Sequence, residues 1–408
     1  MKAVNRYLAL LLMFLLVLSA SICSFAAPKN EGWTVTKYWE KFKNGPPADP
    51  AFFPLMVWLQ DPANADKYKA AGINTYIGLW KGPKPGEIDT LKAAGMKVVC
   101  DMNAEALKYK EDKTIIAWMM LDEPDNWQFK APITINGRTW KYGPKPSRVS
   151  AKDLNDMYSS IKSTDPTRPV ISGFGCGVAN DDTLGRGPGW NNSMYPDYMR
   201  ACDFVGFDVY PVSDLGEKFL WFHAKGLDRI KDWTGGSKPR FNAIGPCFTG
   251  KNNKHPTPEQ VKTEVWISII HGTKAILWFC HNIKPFVEDA LLKNSAMLSA
   301  VTKINAQITE LAPVINGPDY NGASVYSGKS EVPIDILVKN YKNETYIFAV
   351  AMRMGPTTTG VFQVNKVIAA GKVEVLGENR TIDMDARGKF KDDFKTWDVH
   401  IYKVIKNN

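Results

Sequence analysis

The stretch TIIAWMMLDEPDN, residues 114–126, runs from apolar residues into Asp122, Glu123 and Asp125 around a proline. Carboxylates beside methionine and tryptophan lose hydration and repel one another, and both effects favour the protonated form. A carboxylic acid that keeps its proton near neutral pH is what general acid catalysis needs. Asp208, in DFVGFDVYP (203–211), also ends an apolar run, and Asp101 and Asn103 do so in MKVVCDMN (96–103). Acids of this kind, brought together, could pass protons to a leaving group and take them from a water.

Such residues need a frame that gathers distant segments. Between about residue 50 and 315, short apolar runs alternate with helical ones. Strands are predicted at 53–58, 74–80, 96–103, 115–121, 168–174, 203–211, 240–245 and 274–280. Helices are predicted at 62–72 and 86–95, each closed by glycine, at 150–166 behind a Ser150 cap, and at 257–272 and 296–313. Eight β-then-α units point to a (β/α)8 (TIM) barrel, with strands apolar on both faces as a covered parallel sheet requires. The doubly wound alternative is weakened by the count of eight and by the missing phosphate fingerprint. After Pro318 the short runs GASVYSG, IDILVKNY, TYIFAVAMR, GVFQVNK, KVEVLG, TIDMD and WDVHIYKV predict a C-terminal antiparallel β-sandwich. The domains expected are a leader at 1–26, the barrel at 27–318 and the sandwich at 319–408.

Barrel chemistry sits at the carboxyl ends of the strands, where LDEPDN lies. Alternation places Ala117, Met119, Leu121 and Glu123 on one face, so Glu123 and Asp122 diverge for as long as the strand persists. Glu123 is the candidate proton donor; the plainer alternative is an acid paired with a barrel arginine or lysine. On strand six, Gly206, Asp208 and Tyr210 share a face. Strands two apart around the ring start roughly 9 Å from each other, within the ~6.5–9.5 Å of an inverting pair of carboxyl groups. Asp208 is therefore a candidate base, with a purely structural role in the barrel mouth equally open.

Three strand ends carry a family resemblance. Strand four ending in acid-Glu-Pro, strand six in Asp208-Val209-Tyr210-Pro211 and strand eight in Trp278 together resemble the clan A glycoside hydrolases over residues 50–315. The resemblance implies hydrolysis of a glycosidic bond, Glu123 as acid/base, Trp278 as the floor of the sugar site and Tyr210 in contact with the nucleophile. Two departures stand out. The clan has Asn before its acid/base, where this chain has Asp122. The clan's nucleophile is a Glu ending strand seven, where RFNAIGPCFTG offers Gly245 and Pro246. Another carboxylate could serve, Asp208 or less readily Asp101; or the nucleophile is gone and the chain is a carbohydrate-binding pseudoenzyme; or the register of strand seven is misread.

Aromatic rings pack on the C–H faces of sugars without demanding polar partners. Trp58, Trp80, Trp118 and Trp278 lie on or beside predicted strands, with Trp80 and Trp278 the preferred platforms and core filling the other use. His281, just past strand eight, is a candidate hydroxyl partner. The expected substrate-binding set is thus Asp122, Asp125, Trp80, Asp101, Asn103, Tyr210, Trp278 and His281. The long loops after strands four and five, the second carrying Asp181, Asp182, Arg186 and Trp190, are expected to wall the pocket.

Lys2 and Arg6 before the apolar run LALLLMFLLVL, then small residues near Ala26, predict a cleaved export signal and a secreted or periplasmic protein. The later cysteines, Cys100, Cys176, Cys202, Cys247 and Cys280, are odd in number and read as buried free thiols. Net charge is +9, from lysines scattered rather than clustered, which argues against a nucleic-acid partner. No phosphate-binding, zinc-protease or serine-hydrolase motif is present, GFGCG (173–177) lacks GxGxxG spacing, and the five histidines are scattered. Neither a cofactor nor a metal is expected, and the partner expected is a carbohydrate.

Overall fold

A computed structural model describes residues 33–181, 185–367 and 369–405. The proposed leader, with Lys2 and Arg6, and Asp182 of the strand-five loop lie outside them. Eight parallel strands close a barrel: β1 (Leu55–Trp58), β2 (Thr75–Ile77), β3 (Lys97–Cys100), β4 (Ile115–Met119), β5 (Val170–Phe174), β6 (Phe204–Asp208), β7 (Arg240–Ile244) and β8 (Ile276–Trp278). Each pairs with its sequence neighbours, and β1 pairs with β8 to complete the ring. Every strand is short and apolar on both faces, because one face fills the barrel and the other meets helices.

Alternation separates two cores. Met56, Ile77, Val99, Ala117, Ile171, Phe241, Ala243 and Leu277 point inward. Leu55, Val57, Tyr76, Val98, Trp118, Val170, Val205, Ile244 and Trp278 pack outward with the helices. The amino end is plugged by the helix Val35–Trp39, capped by Thr34. Trp39 is buried against Phe204 with ring centres 5.2 Å apart, and the Tyr38 hydroxyl donates to Asp203 O at 2.8 Å. Among the described residues the barrel is therefore filled from below.

The outer helices begin where the sequence places caps. Ser150 accepts from Asp153 N ahead of Ala151–Thr164, and Thr257 and Gln260 form a capping box ahead of Pro258–Ile270. The insert after β4 folds into a small hairpin, Ile133–Ile135 with Arg138–Trp140. The helix Phe222–Trp233, buried through Phe222, Leu227 and Ile230, stands between β6 and β7. All five later cysteines are free thiols, four of them buried. Among the described residues no helix is long and apolar enough to cross a membrane.

The C-terminal region is two antiparallel sheets. One has three strands (Ala323–Ser327, Thr358–Val364, Lys389–Phe394); the other has five (Ile334–Tyr341, Glu344–Ala351, Val399–Ile405, Gly371–Val375, Arg380–Met384). They enclose their own core around Ile347, Phe362, Phe390 and Tyr402. Trp266 of the barrel stacks on Phe348 at 5.7 Å, and His271 sits between Asp228 of the barrel (2.9 Å) and Asp335 of the sandwich (3.2 Å). Burial opposes its charge, but the two carboxylates hold the imidazole up at about 9.

Gly206 is the tight point of the barrel interior: a Cβ there would stand 2.0 Å from Phe241 Cζ. The Gly206→Ala variant should lose about 1–3 kcal/mol through overpacking, read as a lower urea midpoint at unchanged slope.

Candidate active site

At the open end of the barrel lies a cavity of about 230 Å³. Its walls are mostly apolar, with Trp58, Phe174, Phe207, Phe248, Leu277 and Phe279 among them, and its acids are Asp122, Glu123 and Asp208. Tyr210 completes the polar side, its ring packed between Phe248 (4.7 Å) and Phe279 (5.4 Å). Three carboxyl groups thus converge where few other groups can solvate them.

Glu123 reaches this cavity through an unusual backbone. β4 ends at Met119, and Glu123 has φ +42°, in the left-handed region where a residue with a Cβ pays on the order of 1 kcal/mol. The strand's alternation therefore lapses before Glu123, so Asp122 and Glu123 face the same cavity instead of diverging. Backbone bonds hold the kink: Glu123 N donates to Gly173 O at 2.9 Å, and Asn126 N to Glu123 O at 3.0 Å. Asn126 also donates through its side chain to Glu123 Oε2.

Glu123 and Asp208 line the same cavity and act on one another's ionisation. Glu123, past the end of β4, turns toward Asp208, the last residue of β6 and still paired with Ala243 of β7. Glycines make the room. A Cβ on Gly175 would meet Glu123 Oε1 at 2.4 Å and Arg186 Nη2 at 2.8 Å, and one on Gly177 would meet Arg186 Nε at 2.2 Å. GFGCG is thus the wall against which the acid and its arginine lie.

Burial, then repulsion by Glu123, Asp122 and Asp125, pushes Asp208 well above the usual carboxylate range, against Arg186. Burial and Asp125 also raise Glu123, opposed by Arg186, Asn126 and Asp208. Asp122 is pushed up to about 8 by its enclosure and by Glu123. Asp122 is itself exposed at the open side of the cavity, so water there offsets part of this push. Burial holds Lys130 below the ordinary lysine value despite the acids around it, and its ammonium donates to Glu123 O at 3.3 Å.

Asp125 does not join the group. It is fully buried behind the cavity, 2.8 Å from Arg186 Nε, and accepts from the Tyr195 hydroxyl (2.8 Å) and Gly175 N (3.1 Å). Its expected contact with substrate gives way to an ion pair that fixes the loop. The expectation for Trp278 is also corrected. Its neighbours across the ladder, Val57 and Ile244, face outward, and so does Trp278, fully buried with its indole donating to Asn305 at 3.1 Å. Phe279, one residue on, lines the cavity instead.

Asn103 caps the helix Ala104–Leu107 and donates to Pro83 O at 2.9 Å, which occupies its amide. Asp101 stands just past the end of β3, exposed and outside the cavity lining. Trp80 is 40% exposed beside His281 (5.9 Å) and Phe286 (6.4 Å), next to the cavity rather than in its wall. His281 is buried against Gln60 (2.9 Å) and Leu59 O (3.1 Å), so it supports Trp80 from behind. Asp181 pairs with Lys225 and Arg229. Trp190 is buried against Tyr195 and Tyr198, and Arg186 backs the acids without lining the cavity. Asn126, Lys130, Phe248 and Phe279 were not singled out in the sequence; only Phe279, as the neighbour of Trp278, carried a signal.

No protein-family model matches the sequence, and no curated protein matches it either. Solved structures do. AmyP, solved in complex with maltotriose, is 7% identical with a TM-score of 0.51, covering 87% of this chain and 97% of its own. Amy13B of Eubacterium rectale is 9% identical with a TM-score of 0.52, covering 91% and 99%. The family 30 glycoside hydrolase Xyn30A, a xylanase from Clostridium acetobutylicum, is 14% identical with a TM-score of 0.44, covering 87% and 96%. The chain shares its fold with AmyP and Amy13B. At these identities the likeness is one of fold alone.

Asp122 gives a pH dependence with a definite sign. Its folded value lies above the unfolded one, so its proton stabilises the fold at low pH. That contribution is lost as pH rises from about 4 through about 8. Asp122→Asn should flatten this part of the stability–pH curve and leave the variant more stable than the parent at pH 8, measured by thermal melts across the range.

Proposed function

We propose that this protein hydrolyses glycosidic bonds in an oligo- or polysaccharide at the carboxyl end of its barrel, and that it is exported. One observation carries the reading: Asp122, Glu123 and Asp208 converge in a cavity walled by aromatic and aliphatic side chains. A leaving-group oxygen set against Glu123 can take a proton from it, and the proton that the attacking water then gives up to a neighbouring carboxylate of the cavity returns the acids to their starting state. An apolar wall of Trp58, Tyr210, Phe248 and Phe279 suits the C–H face of a pyranose, and Trp80 beside the mouth suits a further sugar unit.

Glu123 and Asp208 act on one another's ionisation, as neighbouring acids do, whereas an inverting pair stands ~6.5–9.5 Å apart with a water between. The two acids therefore act as one proton-holding unit rather than as acid and opposed base. Asp122, the third acid of the cavity, is the group left to meet the attacking water, and it does so in its ionised form, above its raised value. Activity should accordingly rise from pH 7 toward pH 8 and above, until Glu123 loses its proton.

Positioned proton transfer is worth about 10²–10⁴-fold. Glu123→Gln should lower turnover of unactivated glycans by that factor while leaving the thermal melt within a few degrees. Aryl glycosides, whose leaving groups need no proton, should lose far less. Equal losses on both substrates would remove Glu123 as donor. Oligosaccharide binding without hydrolysis by the parent across a broad glycan panel would instead make the chain a binder, as Gly245 and Pro246 at the end of β7 would then explain.

A further inference from the structure

Arg186 and Glu123 come from different loops, and no ion pair joins them among the described residues, yet one guanidinium is aimed at this one acid. Arg186 is fully buried behind the cavity. Its Nε lies 2.8 Å from Asp125 Oδ2 and 3.2 Å from the Tyr195 hydroxyl, and its Nη1 donates to Asn126 Oδ1. Tyr195 is itself clamped, stacked on Trp233 at 4.7 Å and edge-on to Trp190 at 4.8 Å. These partners fix the plane of the guanidinium, while its buried Nη2 has no hydrogen-bond partner among the described residues. A bare donor in such a place costs free energy until an acceptor arrives.

The glycines past β5 show where Nη2 points. A Cβ on Gly175 would collide with Glu123 Oε1 and, at 2.8 Å, with Arg186 Nη2; one on Gly177 would stand 2.8 Å from Cζ and Nη2 of the same guanidinium. Gly175 has φ −79°, so its backbone would accept a side chain and only these two groups exclude one. Nη2 and Oε1 therefore face each other across the space of one missing methyl. The other oxygen is reached indirectly. A guanidinium only donates, so Nη1 turns the Asn126 side chain with its oxygen toward Arg186 and its amide toward Glu123, where it donates to Oε2. Arg186 thus serves both oxygens of Glu123, Oε2 through Asn126 and Oε1 across Gly175.

We propose that Arg186 is a positioning residue for Glu123: its Nη2–H is the donor that the carboxylate takes up once the proton has left. The inference rests on Glu123 as the proton donor of the proposed reaction. When its O–H bond breaks, the proton passes to the leaving-group oxygen and the electron pair stays on the carboxylate. A small turn of the side chain then closes the gap to Nη2 in a charge-assisted bond, and regaining a proton leaves Nη2 bare again. Arg186 supports the ionised acid by a directed bond made after transfer, and not by its field alone.

Carboxyl-carbon NMR titration of Glu123 tests this without any substrate. Arg186→Lys keeps a cation against Asp125 but has no second arm, and Gly175→Ala keeps every charge while putting a methyl between the two groups. Each should raise the Glu123 midpoint by half a pH unit or more, because a carboxylate that loses a donor holds its proton longer. Gly173→Ala, whose Cβ would meet only Asp122 Oδ1 at 3.9 Å, should leave that midpoint in place. Gly175→Ala keeps the test sound if Arg186→Lys fails to fold. A Glu123 midpoint unmoved in Gly175→Ala, or moved as far in Gly173→Ala, would overturn the proposal and leave Arg186 as a field alone. The expected shifts in a chain that cleaves no glycan would uphold the bond and remove only the glycosidase reading.

Discussion

Enclosing several carboxyl groups in one apolar mouth is the constraint on which the site depends. Charged carboxylates so close together repel strongly, and the cheapest relief is to retain protons. Asp122, Glu123 and Asp208 take that relief, and their values rise. Asp125 takes the other one, full burial against Arg186. That pair cancels the fourth negative charge and lends the neighbouring acids a little positive field, which keeps Glu123 from rising further. Breaking a buried pair of this kind costs about 3–5 kcal/mol, so Arg186 is a structural requirement of the loop before it is an electrostatic one.

The backbone serves the same arrangement. A strand alone would send Asp122 and Glu123 to opposite faces; the left-handed turn at Glu123 sends both inward and places strain next to the acids. Gly173, Gly175 and Gly177 on the neighbouring strand and its loop leave the volume these groups occupy. The plugged amino end and the filled interior leave the cavity of the described residues opening at the carboxyl end.

Much of this was legible in the sequence, for identifiable reasons. Eight apolar runs, each followed by polar or helical spacing, have few arrangements other than a closed parallel barrel, and the acids follow directly from strand ends. Which face a residue takes was less legible. Trp278 and Phe279 are adjacent, so alternation puts one in and one out, but only the pairing of β8 with Val57 and Ile244 decides which. The use of Asp125 was hidden because its partner, Arg186, lies in a different loop. How Glu123 meets Asp208 was less legible because strand spacing describes where side chains start and says nothing of the turn past the end of β4. GFGCG read as a plain loop because its glycines answer to side-chain volume rather than to a phosphate.

The central claim is that protons stay on this acid cluster at neutral pH, and carboxyl-carbon NMR titration measures it directly. With resonances assigned through Asp122→Asn, Glu123→Gln and Asp208→Asn, the account predicts one carboxyl titrating near pH 8 and a Glu123–Asp208 pair releasing a proton well above the ordinary carboxylate range. Three independent midpoints near pH 4 would contradict it.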